Sequence, residues 1–469
     1  MTSRRTAVGD DAAIERGDGV PPRPLEEYPL PPGPDGYPLV GNTLSVVRDP
    51  FAFYDELATH GDVVRYRVAG RTFTALLHPD YVERVLVSEP GRFERYVFAD
   101  LGFDIGTEGL LMTDGTQWKR QRRLLQPAFT IDRIETYAET MVECAERTAD
   151  SWIDGSEVAL NSEFSELTLR ILAKALFDVE VDPATDGEVI ARAARAINER
   201  VNARNLSTFL PQWVPLPANR RYERTMRAYR EQVDALIDRR RSADSSGEAD
   251  DLLSIMLRAS DDRGGTLSET EVRDNLVTFL FAGHETSSLA LTYALMLLAR
   301  HDDVAATLRA ELEEVIGDER PTAAHVPELE YADAVLTEAM RLYPPAYILF
   351  RKATDDAVIG GYRIPAGTIL TLPQFHLHVD DRFYDDPEEF RPERWLDDDR
   401  DRPEYAYFPF GGGPRHCIGM RFATLEMTLI VAVLLCRFDF ELSSEPDPEP
   451  SAAATLQPEN DVRVRVRRR

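Results

Sequence analysis

Ten residues near the C-terminus carry the strongest chemical signal: Phe410-Gly411-Gly412-Gly413-Pro414-Arg415-His416-Cys417-Ile418-Gly419. Three consecutive glycines and a proline impose an irregular backbone that must pass close to something. Cys417 stands just before an apolar stretch that predicts a helix over about 418–435. A helix N-terminus offers unpaired N–H groups and the positive end of a dipole, and both favour a thiolate. Gly419 keeps bulk away from the sulfur, Phe410 can shield it from water, and Arg415 places a cation nearby. Taken alone, the loop is also compatible with a structural cysteine in a glycine-rich turn.

A second signal lies in a long apolar segment. Ser268 and Glu271 have the spacing of a capping box, and helical patterning continues to about residue 299. In its middle stands Ala282-Gly283-His284-Glu285-Thr286. Glycine inside a helix costs about 1 kcal/mol relative to alanine. Phe279, Gly283, Thr286, Ala290 and Tyr293 fall on one stripe, against which a flat cofactor could lie. A threonine hydroxyl that bonds back to the preceding turn can open the helix locally. An ordinary buried helix with a solvated Glu-Thr pair is the plainer alternative.

Two further groups could act through charge. Glu338 and Arg341 are three apart on a helix that Tyr343-Pro344-Pro345 ends, and Pro392-Glu393-Arg394-Trp395 follows some fifty residues later. Trp118 and Arg122 share one helix face, and both can donate hydrogen bonds. His376 and His378 alternate as on a strand, but no third metal ligand is apparent, which favours a structural role. Cys144 and Cys436 are expected to be inert packing residues.

The spacing of Phe410, Gly413, Arg415, Cys417 and Gly419 resembles the haem-thiolate signature of the cytochrome P450 family. The other segments match the family in its order, and the resemblance covers about residues 30–468. It implies a mainly α fold with small β-sheets, and haem b (iron protoporphyrin IX) between the long helix and the cysteine loop. It implies that Cys417 is the axial iron ligand, that Thr286 serves oxygen activation and that Glu285 relays protons. Gly283, Phe410 and Gly419 would contact the cofactor. Trp118, Arg122, Arg351 and Arg415 would bind its propionates, and His416 would meet its edge. Glu338, Arg341 and Arg394 would form a structural network. One lipid-hydroxylating branch links a glutamate covalently to haem at the position of Ala282, so no such ester is expected here.

By the same resemblance the chain is a monooxygenase that inserts one atom of O₂ into a hydrophobic substrate. A peroxide-using or non-redox haem-thiolate enzyme is one alternative, and a haem-binding protein without turnover is another. The Glu285-Thr286 pair argues against both. The stretches 109–129, 278–286 and 388–395 look most like the fatty-acid-hydroxylating branches, which suggests a long-chain lipid, isoprenoid or terpenoid. The implied pocket offers Tyr96, Val97, Phe98, Leu101, Phe103, Leu110, Phe209, Leu210, Phe279, Ala282, Ile348 and Leu349, with Arg95 or Arg200 to meet a carboxylate. No Gly-x-Gly-x-x-Gly is found, so electrons must come from a separate ferredoxin- or flavodoxin-type protein with its reductase. The run Lys119-Arg120-Gln121-Arg122-Arg123 is the expected docking patch.

The elements around these residues are consistent with that picture. Acidic residues number 82 against 54 basic ones, a net charge of −28, which argues against nucleic acid or anionic membrane as the main partner. The only lysines are Lys119, Lys174 and Lys352, and an acidic, lysine-poor chain resembles halophilic proteins of a high-salt cytoplasm. Three cysteines in 469 residues make no disulfide framework. No apolar run is long enough to span a bilayer and the N-terminus lacks a signal-like apolar region, so a soluble, cytoplasmic protein is expected. Residues 1–29 read as a disordered tail and 30–469 as one haem domain. Residues 62–77 predict a strand pair, 355–371 a second strand region, 244–251 a polar loop, 380–401 coil, and 462–466 an edge strand. Reversing the charges of Lys119 and Arg120 is expected to slow reduction, followed by stopped-flow absorbance, while sparing the haem spectrum.

Overall fold

The computed structural model of the protein describes residues 24–96, 105–210, 214, 216–243, 251–258, 266–396, 402–445 and 448–469. Of the expected tail, residues 24–29 are placed: Leu25–Glu27 forms a short turn, and Arg363 N–H donates to the Pro29 carbonyl. The rest of the tail lies outside the described residues.

Helices dominate, and the ones that position the site are α1 (Gly115–Leu125), α2 (Leu160–Phe177), α3 (Glu188–Val201), α4 (Glu269–Leu298), α5 (Glu330–Leu342) and α6 (Met420–Arg437). The Ser268–Glu271 capping box starts α4 as expected. That helix is apolar on nearly every side, so it runs through the centre, packed on α2, α5 and α6. One large apolar cluster surrounds it, and two smaller clusters fill the β region.

The strands of the two larger sheets are β1 (Val63–Val68), β2 (Arg71–Leu76), β3 (Phe93–Arg95), β4 (Glu157–Ala159), β5 (Ile348–Ala353), β6 (Ile369–Pro373), β7 (Phe438–Leu442) and β8 (Arg463–Arg468), and two short hairpins pair Ala357–Ile359 with Tyr362–Ile364 and Pro450–Ala452 with Leu456–Pro458. The expected hairpin forms from β1 and β2, turned by Ala69 and Gly70 at positive φ. It continues into a five-stranded sheet of order β1-β2-β6-β5-β3. The register sets Arg95 directly opposite Arg351. The C-terminal strand is not an edge: β8 lies between β4 and β7, with Val464 opposite both Val158 and Leu442. Its alternating valines are fully buried because the face they share packs on the main apolar cluster.

Three other expectations are corrected. His376 lies in the helical turn Gln374–Leu377, which His378 caps, rather than on a strand. His378 is buried, its Nε2 accepts from the Phe408 N–H at 3.0 Å, and no group of three metal-ligating side chains occurs among the described residues. Cys436 is exposed, although Cys144 is buried as expected. Of the polar loop, 244–250 lies outside the described residues, and Asp251 is buried against Arg240 at 3.0 Å.

The Glu338 network is the deepest polar feature, its three charged side chains completely buried. Arg341 donates to Glu338 from Nε at 2.8 Å and from Nη2 at 2.7 Å. Arg394 Nε donates to Oε1 at 2.8 Å and Trp395 Nε1 to Oε2 at 2.7 Å. The remaining guanidinium protons reach the carbonyls of His378, Pro387, Asp385 and Asp386. Burial by itself raises the Glu338 pKa, but the Arg341 hydrogen bonds and the Arg341 and Arg394 charges outweigh it and hold it below the usual carboxylate range. A depressed folded-state pKa gives stability that is present at neutral pH and is lost as pH falls through the carboxylate range. Glu338→Gln should cost about 3–5 kcal/mol at neutral pH. Urea unfolding of both proteins should show that difference shrinking in acid.

Candidate active site

The cysteine loop is pinned by its own backbone. Cys417 N–H donates to the Phe410 carbonyl at 2.9 Å, and Gly411 N–H to Phe408. Gly413 has φ +62°, and a Cβ there would fall 1.9 Å from the Leu86 carbonyl oxygen, so only glycine fits. Phe410 packs against the main core. Cys417 is exposed, three residues before the first residue of α6. The protein around it pushes the thiol up, while the Gly419 N–H and the Arg122 charge act to lower it. The helix terminus therefore does not make a thiolate unaided. A Cβ on Gly419 would lie 4.0 Å from Sγ, in ordinary contact.

The expected cations gather at one edge. Arg122 donates to the His416 carbonyl at 3.1 Å and meets His416 Nε2 at 3.1 Å. A guanidinium only donates, so Nε2 accepts and the Nδ1 proton goes to the Gly413 carbonyl at 2.9 Å. Arg415 lies 4.6 Å over the Trp118 ring and donates to Asp114 at 2.7 Å. Arg351 is buried, with one bond to the Phe350 carbonyl.

Arg95 joins this group, which sequence reasoning missed; it had been a candidate for a substrate carboxylate. The register of β3 on β5 brings it to Arg351. Burial, then the charges of Arg351 and Arg415, push its pKa down to about 9, and burial and Arg415 push Arg351 to about 10. Asp114 is the carboxylate that opposes them. Like charges facing across a strand pair are destabilising unless an anion lies among them. Arg95 Nε is also buried without a hydrogen-bond partner. A dianionic edge such as the two propionates of haem fits this arrangement.

The middle of α4 supplies the other wall. Thr286 Oγ1 donates to the Ala282 carbonyl at 2.7 Å, the bond expected to loosen the helix. Ala282, Gly283 and Thr286 are only partly buried, within a run whose neighbours are covered. Gly283 is corrected: a Cβ there would meet the Leu172 side chain of α2 at 2.9 Å, so its small size serves helix packing. Phe279 and Tyr293 of the expected stripe are filled in by Phe129 and Tyr343. Glu285 turns aside and accepts from Asn198 at 2.8 Å and from Gln457 at 2.5 Å. Neither partner had a signal in the sequence.

An apolar cavity of about 310 Å³ adjoins Arg95 and Phe281 of α4. Tyr96, Phe209 and Ile348 line it as expected, joined by Phe350, Phe375 and Tyr54. Leu110, Leu210, Phe279, Ala282 and Leu349 are not on its wall, and Val97, Phe98, Leu101 and Phe103 lie outside the described residues. Arg200 lines it, but its guanidinium donates to the Ser207, Thr208 and Leu210 carbonyls and so shapes the loop. In the basic run, Arg120 is bonded to Glu271 and to the Thr266 carbonyl, which makes it an internal tie, while Lys119 is exposed.

Comparison with known proteins agrees with this geometry. The family model described as Cytochrome P450 matches residues 31–465. A Streptomyces melanosporofaciens cyclooctatin synthase is 35% identical over 86% of this chain and 88% of its own length. The cyclooctat-9-en-7-ol 5-monooxygenase of the same organism is 34% identical over 90% and 93%. Pentalenene oxygenase of Streptomyces avermitilis is 34% identical over 86% and 90%. The solved structure of retinoic acid bound cyanobacterial CYP120A1 superposes with a TM-score of 0.84 at 26% identity, covering 94% of this chain and all of that one.

Arg95→Leu removes one of the opposed cations. We expect the haem-free protein to be at least as stable in thermal melts. The haem-loaded protein should lose haem to an acceptor protein about tenfold faster, the scale of one charge-assisted hydrogen bond. Unchanged haem transfer would show that Arg95 has no part in holding the cofactor.

Proposed function

The chain belongs to the cytochrome P450 monooxygenase family, and from that premise we propose that it hydroxylates an isoprenoid or terpenoid, with electrons from a separate ferredoxin- or flavodoxin-type protein and its reductase. The observation that carries the substrate class is the aromatic-walled cavity of about 310 Å³. Its rings and aliphatic side chains suit a bulky hydrocarbon, which binds by shape and by removal of apolar surface from water. The names of three relatives, each acting on or forming a terpenoid, support the same class, as does the retinoic acid of the structural neighbour.

Haem b, when bound, would supply the dioxygen and electron chemistry. Cys417 would hold its iron, and Arg95, Arg122, Arg351 and Arg415, with Trp118 stacked on Arg415, would neutralise its propionates. Gly419 directs its N–H at the sulfur, and Phe410 packs the loop onto the core. His416 keeps Arg122 in place at the edge. Thr286 presents its hydroxyl from a helix it has itself loosened, and Glu285 stands one residue away to pass protons. These groups would be superfluous in an enzyme that started from peroxide or in a haem carrier without turnover. Glu338, Arg341 and Arg394 hold the segment leading into the cysteine loop.

Lys119 remains as an exposed cation of that run for donor docking, beside the exposed Arg123, since Arg120 is committed to Glu271. No helix among the described residues is long and apolar enough to cross a membrane. The acidic, lysine-poor composition supports a soluble cytoplasmic enzyme working in concentrated salt, where screening relieves self-repulsion.

The test is spectroscopic. The reduced protein with carbon monoxide should give the strongly red-shifted Soret band of thiolate-bound haem, and Cys417→Ala should abolish it. Titration with terpenoid alcohols should then shift the ferric spectrum toward high spin, and fatty acids should do so weakly. A stronger response to fatty acids would overturn the isoprenoid assignment. Lys119→Glu should slow reduction by a ferredoxin and leave the spectrum unchanged.

A further inference from the structure

A second cavity, about 590 Å³ and lined largely by polar side chains, opens between α2, α3, α4 and the C-terminal hairpin of Pro450–Ala452 with Leu456–Pro458, which carries Gln457. Glu285 lies on its wall with Ser288 and Thr292 of the same helix. The donors to Glu285 Oε1 are all neutral: the amides of Asn198, Nδ2 at 2.8 Å, and Gln457, Nε2 at 2.5 Å, with the Thr455 hydroxyl farther off at 3.5 Å. The orientation of the Asn198 amide follows from its other end, where Oδ1 accepts from the Ala454 N–H at 3.1 Å. Gln457 Nε2 is steadied by Thr455 Oγ1 at 2.7 Å. On the opposite side, Glu285 Oε2 lies 3.7 Å from His284 Nε2, beyond hydrogen-bond range. His284 is fully buried and its Nε2 has no hydrogen-bond partner. Burial holds its pKa down against the pull of Glu285.

We propose that Asn198 and Gln457 are positioning residues: an uncharged clamp that keeps Glu285 turned toward the polar cavity instead of collapsing onto His284, and that this cavity is the water route by which protons reach the acid. The proposal rests on Glu285 acting as the proton relay. The choice of amides has a physical reason. A guanidinium or ammonium at the same distance would fix the carboxylate equally well, but it would also favour the charged form strongly and oppose proton uptake. Amides set direction at less cost to basicity. The clamp also spans two functions, because α3 carries Asn198 and, two and three residues on, Arg200 and Val201 of the apolar cavity wall.

The other charged groups on the polar cavity wall are Glu166 and Arg170 of α2, Glu188, Arg195 and Glu199 of α3, and Glu459 and Asp461 just after the C-terminal hairpin. They are unchanged in the variants that test the clamp.

The experiment compares haem-loaded wild type, Asn198→Leu/Gln457→Leu and Glu285→Gln. The first readout is the nitrogen chemical shifts of His284 in the diamagnetic ferrous carbonyl form at neutral pH, which needs no substrate. The double variant should convert His284 from neutral imidazole to imidazolium as Glu285 swings onto it. The second readout, with farnesol as probe, is the fraction of reducing equivalents lost as hydrogen peroxide and the solvent isotope effect on turnover. Both should rise severalfold in the double variant, while farnesol affinity stays within twofold of wild type. If His284 stays neutral in the double variant, the clamp is overturned. If Glu285→Gln leaves peroxide loss and isotope effect unchanged, the relay assignment itself fails, whatever the clamp variant does.

Discussion

One buried carboxylate ties α5 to the chain that leads into the cysteine loop. Glu338 is surrounded by the guanidinium of Arg341, one turn along the same helix, and by the guanidinium of Arg394 and the indole of Trp395, which come from a segment more than fifty residues away. Such a group cannot be half satisfied, because an uncompensated charge at full burial costs several kcal/mol. The network therefore works as an all-or-none fastener between α5 and the otherwise irregular stretch before the cysteine loop. From there the order propagates by ordinary hydrogen bonds. Tyr407 reaches the Thr337 carbonyl, and Phe408 is gripped on both backbone groups by His378 and Gln374. By Phe410 the chain has little freedom left, and the glycines take up what remains.

The arginine edge works by the opposite logic. Arg95 and Arg351 are forced together by strand register, and Arg415 joins them with Asp114 as the opposing carboxylate. The protein bears this repulsion in its folded state. A chain with a net charge of −28 could have placed carboxylates there readily. That it gathers cations instead marks the edge as built for an anion, and the family's cofactor carries one of the right charge. The Glu338 network is complete within the protein, whereas the arginine edge is complementary to something else.

This difference explains what could be read from the sequence. Features confined to one turn of helix or one loop were legible: the capping box at Ser268, the Glu338–Arg341 pair, the Thr286 hydroxyl facing the Ala282 carbonyl, and the glycine-rich approach to Cys417. Features that depend on which distant segments meet were not. Arg95 sits on a three-residue strand with almost no pattern, and only pairing with β5 shows that it belongs with Arg351. Val462 to Val466 has the alternation of an edge strand, and nothing local says that a neighbour covers each side. Gly283 was read as making room for a cofactor, whereas the room is taken by Leu172 from another helix. The residues were identified correctly in type, and what they faced was decided by tertiary packing.

The central helix turns these separate contacts into one device. Because α4 is buried along almost its whole length, successive turns of it can face different surroundings. Phe281 meets the aromatic cavity, and Glu285, Ser288 and Thr292 meet the polar one. Phe281, Glu285, Ser288 and Thr292 are spaced i, i+4, i+7 and i+11 and so share one stripe of the helix, and the rise of 1.5 Å per residue sets Ser288 about 10 Å beyond Phe281 along the axis without any break in the backbone. An oxygen-inserting enzyme needs apolar surface for its substrate and a supply of protons, and water in the first compartment would spoil the binding that the second requires. The loosened turn between Ala282 and Thr286 is where the two compartments come nearest along the chain. A hydroxyl placed there can exchange a hydrogen bond with the backbone for one with a guest. Successive levels of one helix can thus serve both compartments while keeping oil and water apart.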